Sequence, residues 1–111
     1  MTRKSFEKLV SEAVSALPDE FLSRLDNVEI VVEDENPEDP DLFGLYEGTP
    51  LTERGDWAGA LPDRISIYRL PLEESFADPA ELEKEIRITV LHEVAHLFGL
   101  DEDRLEELGY E

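Results

Sequence analysis

Two histidines, His92 and His96, are the whole histidine content of the chain, and they stand four residues apart with Glu93 directly after the first. On an α-helix, residues four apart lie one turn up the same face. The two imidazoles can therefore offer nitrogens to one point in space. Zinc accepts such nitrogens at roughly 2.0–2.1 Å. Glu93 projects about 100° around the helix from His92, where a carboxylate can miss the ion yet reach a water held by it. This pattern, H-E-x-x-H, matches the helical signature of zinc hydrolases. Its chemistry is hydrolytic: zinc lowers the pKa of its water to around 7, and Glu93 as general base takes the proton and passes it to a leaving amine.

A catalytic zinc usually takes three protein ligands and a water. There is no third histidine and no cysteine, so the third ligand must be a carboxylate or be missing. Gly99 permits a tight reversal after the helix. Asp101, Glu102 and Asp103 all lie in the segment that returns toward the histidines.

The elements that must position these groups can be read from periodicity. A helix is expected from about Pro79 to Phe98, with Asp78 as N-cap, Pro79 at the first position and Glu81 completing a capping box. Leu82, Ile86, Val90, Val94 and Leu97 give it a broad apolar face, extended by Ile88, Leu91 and Ala95, so it should be central and buried. An amphipathic helix is expected near the start, on Phe6, Leu9, Val10, Ala13, Val14 and Leu17. Pro18 ends it and opens a further helical turn. Strands are expected at 27–34, at 42–48 with a glycine inside, and at 64–70. Residues 35–41 and 48–63 read as loops, "PLEESFADP" as a connection, and "DEDRLEELG" as a last short helix. The expected architecture is α+β: a small three-stranded mixed sheet packed against an N-terminal helix and a central helix carrying the histidines.

The sequence from His92 to Glu102, HEVAHLFGLDE, resembles the motif H-E-x-x-H-x-x-G-x-x-D of the minimal zincin-like metallopeptidases, small bacterial domains of little over a hundred residues. The resemblance also covers "GLYEGTPLTERG" at 44–55 and "LPDRISIYRLPLE" at 61–73. It implies that His92, His96 and position 102 hold zinc and that Glu93 is the catalytic base. Position 102 is Glu here, one methylene longer than the family's Asp. The metzincins share the glycine spacing but carry a methionine turn beneath the metal, and the only methionine here is Met1. Zincins bind an extended peptide along an edge strand by strand addition, and "RISIY" is the strand expected to serve as that edge.

Composition bounds the alternatives. A length of 111 residues fits one domain, 1–111. With 29 acidic against 10 basic residues the net charge is −19, which opposes nucleic acid and anionic membrane surfaces as partners. That charge also argues against a zinc-dependent ribonuclease on a related scaffold. Zero cysteines exclude disulfides, thiolate metal sites and cysteine nucleophiles. The N-terminal residues lack an apolar signal core and no apolar run could span a bilayer, so a cytoplasmic address is expected. The expected partner is a peptide or unfolded protein substrate, and a monomer is expected. The leading expectation is a zinc-dependent peptidase, and the alternative is a non-catalytic, zinc-stabilised binding or regulatory module. Trp57, Tyr68 and Tyr110 are expected to pack rather than touch substrate, and Arg64 and Arg69 to pair with local carboxylates. The "GTPLTERGD" stretch lacks the lysine and spacing of a phosphate-binding loop.

Overall fold

A computed structural model describes residues 1–25, 27–48, 63–100 and 102–107, with Glu102, Leu105 and Glu106 described in their backbone alone. Its elements run α1 (Arg3–Ser15), α2 (Asp19–Leu22), β1 (Val28–Glu33), β2 (Gly44–Glu47), β3 (Asp63–Tyr68), α3 (Arg69–Ser75), α4 (Pro79–Leu97) and α5 (Glu102–Glu107). The fold class is α+β, as the sequence indicates.

Helix α4 starts where its sequence says it should. The Asp78 carboxylate accepts a hydrogen bond from the Glu81 N–H at 3.1 Å, and Pro79 fills a position whose N–H would have no partner. Leu82, Ile86, Thr89, Val90, Val94, Ala95 and Leu97 are buried along it. Each large apolar side chain so buried contributes about 1.5–3 kcal/mol. The core joins this face to Phe6, Val10 and Ala13 of α1 and to Ile65 and Ile67 of β3. α4 is thus the shared wall of the molecule, with α1 packed on it as well as strands β2 and β3.

The sheet is mixed, in the order β1-β3-β2. β1 runs parallel to β3, pairing Ile30 with Ile65, and β2 runs antiparallel to it, pairing Tyr46 with Ile65. This corrects the expectation that "RISIY" is a peptide-binding edge, since β3 is the middle strand, paired on both sides. The physical reason is visible in its burial. Ile65 and Ile67 sit under α4, while Ser66 and Tyr68, on the opposite face, are also buried. Only Arg64 within "RISIY" is exposed, and it pairs with Glu33 at 2.6 Å.

The connection from β1 to β2 is fixed by Asn36. Its side-chain oxygen accepts from the N–H groups of Glu38 and Asp39 at 2.8 and 2.9 Å, and its amide nitrogen donates to the Tyr68 hydroxyl at 2.9 Å. Tyr68 is accordingly a packing residue. The stretch expected to be a connection forms α3. Pro71 lies in its first turn, where the missing N–H costs no helical bond. Arg69 pairs with Glu73 at 2.7 Å and with Asp34 at 3.3 Å, and the Arg3 guanidinium donates to the Val32 carbonyl. Trp57, Tyr110 and the loop expected at 48–63 fall outside the described residues, apart from Gly48 and Asp63.

Candidate active site

His92, Glu93 and His96 lie in the last turns of α4, a helix with one buried face and one face open to solvent. Val94, Ala95 and Leu97 face the core, so the helical period places His92 and His96 away from it. His96 is exposed and His92 half-buried. Glu93 sits deeper, its side chain only 12% exposed, with Oε1 3.3 Å from His96 Nδ1.

The helix end is set by backbone geometry. Gly99 takes φ of 71°, the left-handed region that favours glycine. The Gly99 N–H donates to the His96 carbonyl at 3.0 Å and the Leu100 N–H to the Ala95 carbonyl at 2.9 Å. These two bonds form a Schellman motif, which satisfies the last carbonyls and turns the chain back. Phe98, the C-cap, stacks on Phe21 with ring centroids 4.9 Å apart, which ties this end of α4 to α2. The chain then enters α5 at Glu102.

Of the sequence-derived site residues, the structure brings Glu93 and His96 into contact and keeps His92 one turn behind. Glu102 opens α5, while its side chain and all of Asp101 lie outside the description, and Asp103 is exposed. Among the described residues no three His, Asp or Glu side chains converge on a common point suited to a metal. The donor types nevertheless fit a zinc ion: two imidazoles at helical spacing, on the accessible face of α4, with carboxylates following them in the sequence.

Sequence reasoning missed three contributors to this site: Gly44, Tyr46 and Thr89. A Cβ on Gly44 would stand 2.9 Å from Thr89 Cγ2, 3.0 Å from Glu93 Cγ and 3.2 Å from the Ser66 carbonyl oxygen. Strand β2 therefore lies directly against α4 at the level of Glu93. The Tyr46 backbone also hydrogen-bonds the Glu93 carboxylate. The available signal was the glycine inside a short strand, which marks a close backbone approach.

Burial pushes the Glu93 pKa above its ordinary value of 4.5, opposed by His96, by the Tyr46 backbone and by His92. Desolvation disfavours the charged carboxylate, and the neighbouring donors favour it. A carboxyl raised in this way holds a proton more readily than an exposed one, which suits a group that must accept a proton.

The model of the family described as "Zincin-like metallopeptidase" matches residues 25–110. The chain belongs to the zincin-like metallopeptidase family. The matched span includes the whole sheet, α4 and α5. A search of curated proteins finds no match for this zincin-like chain. Among solved structures it is similar to a "Conserved hypothetical protein" from "Thermo thermophilus", with 26% identity, 97% of each chain covered and a TM-score of 0.59. No helix among the described residues is long and apolar enough to cross a membrane.

Proposed function

We propose that this zincin-like chain is a zinc-dependent peptidase in which His92, His96 and Glu102 hold the metal and Glu93 is the general base. The observation that supports the reading is the placement of Glu93 between β2 and the imidazoles of α4. It is a nearly buried carboxylate, held between β2 and His96, on the helix that carries both imidazoles. When bound, zinc supplies Lewis-acid chemistry that acidifies water and polarises a carbonyl. His96 faces Glu93 through Nδ1, which leaves Nε2 as the nitrogen free for a metal. Glu93 accepts the proton of the attacking water and returns it to the leaving amine.

The substrates of such an enzyme are flexible peptides or unfolded segments. A chain of 111 residues has little material beyond its core from which to build deep walls around a cleft. The net charge of −19 favours basic peptides through its long-range field.

The test joins metal analysis to hydrolysis. Purified protein is expected to take up one zinc ion at micromolar concentration and to cleave an unstructured peptide. Glu93→Ala is expected to keep the metal and lower kcat/KM by at least ~10²-fold. Glu102→Ala is expected to weaken metal binding. A protein that takes up zinc yet cleaves no peptide would instead be the binding or regulatory module. A Glu93→Ala variant as active as the wild type would sink the assignment of the base.

A further inference from the structure

The outer edge of β2 faces the candidate base. The Tyr68 N–H donates to the Phe43 carbonyl at 2.9 Å, and the register pairs Gly44 with Ile67, Leu45 with Ser66 and Tyr46 with Ile65. Antiparallel pairs alternate between those that exchange hydrogen bonds and those that do not. Phe43 bonds to β3, so Leu45 does as well, and the N–H groups of Gly44 and Tyr46 point away from the sheet. The Tyr46 N–H, outward by this register, is the backbone donor that favours the Glu93 carboxylate. On the same strand, the missing side chain of Gly44 leaves the space that Glu93 Cγ and Thr89 Cγ2 occupy. Glu93 is thus enclosed on three sides: Gly44 behind its stem, the Tyr46 N–H at its carboxylate, and His96 Nδ1 at 3.3 Å from Oε1.

We propose that Gly44 and the Tyr46 N–H are positioning groups for the reaction, fixing the rotamer of Glu93 from strand β2. The proposal rests on the peptidase reading above and assigns to β2 a task that α4 cannot perform on its own. A helix sets the direction in which a glutamate leaves the backbone, but leaves its outer torsions free. A carboxylate misplaced by about 1 Å can cost roughly 10²-fold in rate. The glycine is needed because a Cβ there would press on Thr89 Cγ2, on Glu93 Cγ and on the Ser66 carbonyl, so admitting one displaces the Glu93 side chain.

Two measurements test this. The first uses metal-free protein and needs no glycine variant. Amide hydrogen exchange of Tyr46 is expected to quicken at least ~10-fold in Glu93→Ala, with Leu45, bonded into β3, unchanged. An unaltered Tyr46 rate would overturn the clamp. The second uses zinc-loaded enzyme. Gly44→Ala is expected to lower kcat ~10²-fold, with KM and zinc affinity within about twofold of wild type. Adding Thr89→Ser removes the Cγ2 that the new methyl meets, so the double variant should regain thermal stability but not kcat. Recovery of kcat together with stability would show that Gly44 serves helix packing alone, and the proposal falls. An indifferent Gly44→Ala in an active enzyme overturns the positioning role alone. A zinc-loaded wild type that cleaves nothing overturns the peptidase reading and this role with it.

Discussion

Burial works against the charge that Glu93 must carry as a base. Its pKa in the folded chain is raised, chiefly by desolvation, above the ordinary 4.5. The protonated form is therefore the one that folding favours. Its stabilising effect is complete below the unfolded pKa and is lost as pH rises through the folded value. Glu93→Gln mimics the protonated carboxyl. In metal-free protein at neutral pH it is expected to raise the midpoint of urea unfolding, and the gain should vanish as the pH is brought below 4.5. A variant less stable than wild type at neutral pH would show that the bonds from His96 and Tyr46 outweigh desolvation. The imidazole-carboxylate-imidazole pattern was legible in sequence because helical spacing is local, set by the regular turn of the helix. The contacts of Gly44 and Tyr46 with Glu93 were not, because they depend on where a distant strand docks.

The ends of α4 do separate jobs. Asp78 caps the N-terminus, many turns from the histidines, so Asp78→Ala should cost about 1 kcal/mol in chemical denaturation and leave zinc affinity unchanged. Gly99 caps the other end with φ of 71°. Gly99→Ala should cost about 1–2 kcal/mol from left-handed backbone strain. It should also weaken metal binding, because α5 and Glu102 follow that turn directly. Calorimetric zinc titration of both variants separates the two roles. Both caps could be read from the sequence, since Asp-Pro at a helix start and glycine at its end act through neighbouring backbone groups. Helix α3 could not. Pro71 reads as a breaker wherever the helix start is unknown, and it is tolerated only because Arg69 and Leu70 place it in the first turn. The pairing of β3 was hidden for a related reason. Alternating isoleucines describe which way side chains point, whereas a middle strand is defined by its neighbours on either side, and those come from strands before it in the chain.

Across the whole molecule a net charge of −19 repels itself, and the exposed pairs such as Arg64–Glu33 and Arg104–Glu107 offset little of it. Salt shortens the reach of that repulsion, from a Debye length of about 10 Å at 0.1 M to about 3 Å at 1 M. The thermal midpoint of metal-free protein should therefore climb with added sodium chloride. A midpoint that drops instead would mean that the attractive pairs dominate. The asparagine at 36 sets a limit on how acidic this chain can become. An aspartate there could still receive the N–H groups of residues 38 and 39, as Asp39 receives that of Asp41. It could meet the Tyr68 oxygen only by accepting from the hydroxyl, and its charge would be held where only 9% of the residue meets water. The surface can absorb carboxylates almost freely, but the brace between the β1–β2 connection and the centre of the sheet buries its side chain, and an uncharged amide fills that place without a desolvation cost for charge.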